Sequence, residues 1–414
     1  MKKIVALVLC AMMLLASTSA LADIVICQNK VEITAAMQDY AKLYTEKTGV
    51  DVKVITGGGS SDYNTVLKAE MQSGREPDIW VIEGPTGYEL WKDKIADMTG
   101  ADWTQYTAAA YVADGKVVGF PVAVEGYGMA YNADILAKAG IDPKTLTNFD
   151  AYKAAFEKLD SMKEELGLDM VVSMVAGTVP GMTWVTGLHN FNVYLSVGLE
   201  RGDSTIIDKL LKGEVDAERF HQYCQYVALL FKYSDPDMLL NGNQETQMVA
   251  FTSGKAAFYH QGNWMDPTIA QAGGVTFPVA YAPHAFLKED TDGILTDAAA
   301  WYVVNSKGNV EEATAYLNAL CGTDEGKEYM VDKAGMIPAF SNVEAKASDS
   351  TPLTKSVVEW VNAGKTYSWQ QYKMWDGFGM GTLGQIYELL ASGAIDVDTF
   401  EAMMIDAIAT RAAQ

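Results

Sequence analysis

The sequence predicts an α/β protein large enough for two lobes, and three observations carry that expectation. Apolar strand runs alternate with helix-period segments over the first hundred residues. One of these runs, Asp78-Ile79-Trp80-Val81-Ile82-Glu83, is almost wholly apolar, as in a parallel sheet covered on both faces. The chain has 414 residues, room for two to three domains of ~150 residues or one large two-lobed unit. Hydrophobic residues make up 49% and charged residues 20%, which suits a packed globular protein and excludes a disordered one.

The N-terminus sets the compartment. Met1-Lys2-Lys3 is a basic start, and Ile4 to Ala16 is an apolar stretch too short to span a bilayer. Ala20-Leu21-Ala22 is a small-x-small cleavage pattern. A signal peptide over residues 1–22, cleaved after Ala22, and a periplasmic or otherwise extracytoplasmic mature chain are expected. Cys10 does not resemble a lipidation site, because Leu9 precedes it and the apolar stretch runs on past it. Loss of Lys2 and Lys3 takes the net charge from −22 to −24. Nucleic-acid binders need a basic face, so no nucleic-acid partner is expected. Cys27, Cys224 and Cys321 remain. They are three small buried hydrophobes, or one disulfide plus a free thiol.

The elements follow in order. Ile24 to Cys27 is a strand, followed by a helix with Ile33, Met37, Tyr40, Ala41 and Tyr44 on one face and a stop at Thr48-Gly49. Val50 to Val54 alternates as a strand. A Gly57–Ser61 turn leads into a helix over 62–73, and the apolar run 78–83 is the third strand. This order predicts an open sheet with its ligand rim at the strand carboxyl ends, where Gln28, Asn29, the Gly57–Tyr63 turn and Glu83 fall. Lys116 to Glu125 is an extended segment broken at Pro121 and continuing to Asn132. A mainly helical stretch is expected to about Met248, then strands over 275–282 and 299–304 and a helix over 311–321. Asp398, with Glu401 three residues on, is expected to cap the last helix.

Catalytic signatures are absent. Gly57-Gly58-Gly59 has no following Gly-Lys-Ser/Thr and lacks the third Gly of a dinucleotide turn. No Ser has Gly at both −2 and +2, and the four histidines show no H-E-x-x-H spacing. Asp290, Asp292 and Asp297 do not form an EF-hand loop, because Lys288 and Ala299 occupy its first and last ligand positions. Neither cofactor nor metal is expected.

Several motifs together resemble one family. Gly119-Phe-Pro-Val-Ala-Val-Glu125 is followed by Tyr131-Asn-Ala-Asp-Ile-Leu136 and Ala139-Gly-Ile141. Phe251-Thr-Ser-Gly-Lys-Ala-Ala-Phe258 leads to Gly262-Asn263-Trp264. A helix from Ala313 runs into Thr323-Asp-Glu-Gly326, then Gly335-Met-Ile-Pro338. With Ser73-Gly-Arg-Glu-Pro-Asp78, this order resembles bacterial extracellular solute-binding proteins of the carbohydrate class, such as the maltose- and glycerol-3-phosphate-binding proteins of ABC importers. The resemblance implies a two-lobed periplasmic-binding-protein fold with a ligand cleft between lobes. It places an N-terminal lobe over 23–128 plus 287–335 and a C-terminal lobe over 129–286 plus 336–414. Crossings are expected near Gly126–Asn132, Pro283–Leu287 and Gly335–Pro338, with Gly126 and Gly128 as permissive connectors.

The expected ligand is a neutral mono- or oligosaccharide, since flat rings cover a sugar's C–H face while carboxylates and amides bond its hydroxyls. Trp264 is the foremost cleft aromatic. Trp184 divides between cleft and core, and one of Trp369 and Trp375 faces the cleft. Asn29, Tyr63, Glu83, Glu125, Asn263 and Asp297 are the polar candidates, with a solvated loop position as the alternative for each acid. Phosphorylated ligands are disfavoured, because none of the four arginines falls in a cleft motif. The resemblance also implies a monomer that delivers its ligand to an ABC permease. An exported glycosidase-like enzyme or a non-transport lectin is the alternative.

Overall fold

The computed structural model describes residues 23–58 and 63–414. The expected signal peptide and residues 59–62 of the Gly/Ser turn lie outside the described residues.

β1 (Ile24–Gln28) is buried along its whole length, and β2 (Val52–Thr56) and β3 (Ile79–Ile82) lie parallel to it, one on each side. The intervening helix Thr34–Thr48 buries Met37, Tyr40, Ala41 and Tyr44 and stops where Gly49 turns left-handed at φ 80°. Because β2 and β3 flank β1, the winding direction reverses at β1. That reversal opens a crevice at the carboxyl ends of β1 and β3. β12 (Trp301–Val304) runs antiparallel between β3 and β5 (Lys116–Pro121), and β4 (Tyr111–Ala113) completes a six-stranded sheet. Trp80, Trp103, Phe120, Tyr302 and Tyr316 fill this lobe's core.

The second lobe holds four strands in the order β10 (Val279–Ala282), β7 (Met129–Asn132), β9 (Ala256–Tyr259), β8 (Met170–Ser173). β8 lies inside the stretch expected to be helical. Its four residues are all buried and run parallel to β9, so tertiary pairing outweighs the helical pattern around it. Tyr152, Phe156, Phe191, Tyr223, Tyr226 and Phe258 build this core.

A third sheet, β13 (Thr366–Tyr367), β11 (Ile294–Ala298) and β6 (Val124–Tyr127), joins the lobes. The chain leaves the first lobe through β6 into β7 and returns through β11 into β12. The return therefore falls later than Pro283–Leu287. That segment is tied to the second lobe: Tyr152 OH donates to Pro283 O at 2.6 Å, Phe149 N–H donates to Leu287 O at 2.8 Å, and Phe286 is fully buried. At Gly335–Pro338 the Ile337 carbonyl accepts the Val124 N–H at 2.8 Å. Phe340 and Val343 still lie in the first core, so the last crossing comes after Val343, before the helix Pro352–Asn362.

Gly126 and Gly128 do not adopt left-handed backbone. Close packing requires them instead. A Cβ on Gly128 would lie 2.5 Å from Ala282 O, and one on Gly126 2.8 Å from the Thr296 methyl. The last helix, Val397–Ala412, is capped by Asp396, whose carboxylate accepts the Thr399 N–H at 2.9 Å. Asp398 is already inside the first turn, so it is not the cap. Cys27, Cys224 and Cys321 are free and buried. Among the described residues no helix is long and apolar enough to cross a membrane.

Candidate functional site

The crevice at the ends of β1 and β3 supplies the polar floor. Gln28 folds back on the turn that follows it, its side chain accepting the Lys30 N–H at 2.6 Å and donating to Lys30 O at 2.8 Å. Asn29, just past β1, donates from Nδ2 to Glu83 Oε1, just past β3, at 2.8 Å. The other Asn29 amide atom, Oδ1, is buried with no hydrogen-bond partner among the described residues. The Lys30 ammonium pairs with Glu125 at the start of the hinge sheet, with 11% and 10% of their side chains exposed. Burial pulls the Lys30 pKa down, and the carboxylates of Glu125, Glu32 and Glu83 outweigh it, leaving a net rise. Burial, opposed by Lys30 and reinforced by Glu125, raises the Glu32 carboxyl to about 7.

The second lobe supplies an aromatic wall. The Trp264 indole packs against Gly262, where an added Cβ would come within 2.0 Å of the ring, so only glycine admits the ring there. Its Nε1 donates to Gln261 Oε1 at 3.1 Å. The ring centroid stands 4.9 Å from His189, 6.2 Å from Tyr127 and Trp369, and 6.3 Å from Trp184. Burial pushes His189 well below the usual imidazole range, so it is neutral in this cluster.

Floor and wall enclose a cavity of about 350 Å³ lined by Asn29, Lys30, Glu83, Glu125, Trp184 and Trp264, among others. A second cavity of about 380 Å³ adjoins it, reaching Trp91 and Trp375. A further cavity, about 670 Å³, lies elsewhere, beside Tyr131, Tyr281 and Trp360. Its lining comes from the second lobe and the hinge, so lobe movement cannot enclose a ligand there. The two adjoining cavities between the lobes, continued by a third of about 550 Å³ beside Val31, Glu32 and Gln244, are therefore the candidate site.

The predicted residues divide into three groups. Asn29, Glu83, Glu125, Trp184 and Trp264 line the first cavity, and Trp375 lines the second. Tyr63 lines both, but its hydroxyl is turned into the sheet: it lies 3.0 Å from Val81 O and accepts the Val81 N–H at 2.9 Å. Asn263, Asp297 and Trp369 stand behind the walls. Asn263 is 3% exposed, and its Oδ1 accepts the Gly126 N–H at 2.8 Å, clamping the hinge strand. Asp297 pairs with Arg201 at 3.3 Å and accepts the Trp369 N–H at 3.2 Å. Trp369 is 7% exposed and packs 5.3 Å from both Tyr127 and His189.

Glu32, His189, Gln244 and Tyr372 also line the first cavity and were not among the candidates. Glu32 and Lys30 carried a readable signal, since both follow β1 on the predicted rim. His189 and Tyr372 carried none, because they are placed by irregular segments at Val185–Asn190 and Gln371–Lys373.

The profile described as "Bacterial extracellular solute-binding protein" matches residues 39–361. A maltooligosaccharide ABC transporter solute-binding lipoprotein of Streptococcus pneumoniae is 24% identical over 78% of this chain and 74% of its own length. An uncharacterised ABC transporter extracellular-binding protein of Pyrococcus horikoshii is also 24% identical, over 78% of this chain and 72% of its own. Among solved structures, a chitin oligosaccharide binding protein superposes with a TM-score of 0.72 at 18% identity, covering 94% of this chain and 99% of the other. A sugar transporter protein from Bacillus licheniformis, solved in complex with stachyose, does so at 0.72 and 15% identity, covering 92% and 98%. The reversed first sheet, the strand-built hinge, the cleft it positions and the profile match agree, and the chain belongs to the bacterial extracellular solute-binding protein family.

Proposed function

We propose that this protein captures a neutral mono- or oligosaccharide outside the cytoplasm and delivers it to the permease of an ABC importer. One observation carries the sugar assignment: the indoles of Trp184 and Trp264 face a floor of Asn29, Lys30, Glu83 and Glu125 across one inter-lobe cavity. Ring C–H faces pack on indole, and hydroxyls bond amides, carboxylates and the ammonium. The unpartnered Asn29 Oδ1 is a ready acceptor for a ligand hydroxyl. Names of the relatives point the same way, since the proteins bearing them handle maltooligosaccharide, chitin oligosaccharide or stachyose.

The charge pattern favours a neutral sugar over a phosphorylated one. Lys30 is a cation lining the cavity, and it is already paired with Glu125. Arg201 and Arg219 are engaged elsewhere, Arg201 with Thr296 O at 2.8 Å and Arg219 with Val197 O at 2.7 Å. In this reading the lobes pivot on the three-stranded hinge sheet, ligand contacts to both lobes favour the closed form, and that form docks as a monomer on the permease. Residues 1–22 are the export signal, cleaved after Ala22. The protein binds without converting its ligand. Calorimetric titration with maltose, maltotetraose, raffinose, stachyose and chitotetraose, followed by chromatography of the recovered sugar, tests this. Saturable binding with the sugar returned unchanged is expected. Hydrolysis products would establish the enzyme reading, and tighter binding of maltose 1-phosphate than of maltose would overturn the neutral assignment.

A further inference from the structure

Three cavities follow one another between the lobes. The first shares Tyr63, Glu83 and Tyr372, among others, with the second. It shares Val31, Glu32, Gly58 and Gln244 with the third. The second and third have no lining residue in common among the described residues, so the first cavity is the middle of the cleft. Both lobes wall each flank. In the second cavity Trp91 comes from the first lobe and Trp375 from the other. In the third, Thr34 and Gln38 belong to the first lobe, and Asn243 and Gln271 to the other.

Exposure separates the middle from the flanks. The residues lining the middle cavity are buried or half-buried except Val31, which also lines the third. The second cavity reaches the exposed side chains of Lys68, Leu90 and Asp376, and the third those of Gln38, Glu245 and Gln271. The flanks differ in chemistry. Trp91 and Trp375 are half-buried, and each is braced edge-on by a neighbour, Trp80 at 6.4 Å and Phe378 at 5.1 Å between centroids. The third cavity has no aromatic side chain among its described lining residues. Its Asn243 Oδ1 accepts the Thr246 N–H at 2.9 Å, and Gln244 Nε2 lies 2.8 Å from the Met265 sulfur.

We infer that the protein recognises the interior of a linear oligosaccharide: the middle cavity holds internal rings, and the two chain ends leave through the flanking cavities into solvent. This rests on the carbohydrate reading above and deepens it by naming the part of the chain that is recognised. The middle cavity, about 350 Å³, is at the small end of ordinary ligand pockets, about 300–1,000 Å³. It takes a short stretch of chain, and the rings beyond that stretch have a cavity to enter on each side. Because each flank reaches exposed side chains, neither terminus has to fit a closed pocket. Rings on the second-cavity side gain stacking on Trp91 and Trp375. A single sugar meets one cavity of the three and forgoes the contacts of the other two.

Calorimetry tests this with glucose through maltohexaose and with N-acetylglucosamine through chitohexaose. Two modified forms of each hexasaccharide join them, one reduced to its alditol and one carrying a 4,6-O-benzylidene cap on the non-reducing ring. In the series that binds, the hexasaccharide is expected to bind at least tenfold more tightly than the single sugar, and each end-modified form within threefold of its parent. Trp375→Ala should weaken hexasaccharide binding at least fivefold, and Trp91→Ala tests the same cavity should thermal denaturation show that Trp375→Ala does not fold. A larger loss on modifying either end, or a smaller gain from single sugar to hexasaccharide, would overturn interior recognition and leave the carbohydrate reading standing. Unchanged hexasaccharide affinity in both tryptophan variants would take the second cavity out of the ligand's path and overturn it equally. Absence of binding by every member of both series would overturn both.

Discussion

Trp264→Ala separates a cleft aromatic from a core one. The indole is half-buried, lines the first cavity and packs against His189, Tyr127, Trp184 and Trp369 at centroid distances of 4.9 to 6.3 Å. In the proposed function its cavity-lining side is the surface offered to a sugar ring. Truncating such an anchor costs about 2 kcal/mol or more of binding, a fall of roughly 30-fold in affinity. The same truncation removes the ring contacts and the Nε1 bond to Gln261, so stability also falls, by about 2–4 kcal/mol. The two losses are read separately. Isothermal titration with the tightest-binding sugar gives the first and urea unfolding the second. Trp264→Phe keeps a flat face and should recover much of the affinity. The reasoning is refuted if Trp264→Ala unfolds more readily while binding sugar as tightly as wild type, because the ring would then serve packing alone.

Three further outcomes follow from the same geometry. Asp266 is fully buried and accepts the Leu353 and Thr354 N–H groups at 3.2 and 2.6 Å, capping the helix Pro352–Asn362 from outside it; Asp266→Ala should cost about 1–3 kcal/mol in urea unfolding with sugar affinity retained. Burial holds the Glu32 carboxyl at about 7 against an ordinary 4.5, so the folded protein binds the extra proton and this group's contribution to stability falls as pH rises through that window, by up to about 3 kcal/mol. Glu32→Gln should therefore gain on wild type in unfolding free energy between pH 5 and pH 8, and parallel pH curves would contradict it. Solution scattering should show a smaller radius of gyration with saturating sugar, and superimposable profiles at proven saturation would remove lobe closure from the account.

What the sequence made legible depended on how local the cause was. β1 and β3 announce themselves as apolar runs, and once they share a parallel sheet, topology alone puts Asn29 and Glu83 on one rim. Gly262-Asn263-Trp264 was legible as a unit, although its polar member turned out to hold the hinge through Gly126 rather than line the cavity. Asp297 has its role set by Arg201, 96 residues away in sequence, and by the Trp369 N–H. Tyr63 presents its ring to the cleft and spends its hydroxyl on Val81. β8, only four residues long, depends on β9 some eighty positions later, so no local pattern reveals it. The hinge glycines were legible as special positions, but their cause is close approach to Ala282 and Thr296. Such contacts exist only after the sheets have assembled.

Crystal diffraction from the protein grown with its tightest-binding sugar tests the central claim most directly. The account predicts saccharide density between the two lobes, one ring against Trp264 or Trp184 and hydroxyls within hydrogen-bond distance of the Asn29, Lys30, Glu83 and Glu125 side chains. Density confined to the larger cavity beside Tyr131 and Trp360, with the inter-lobe cavities empty, would contradict it.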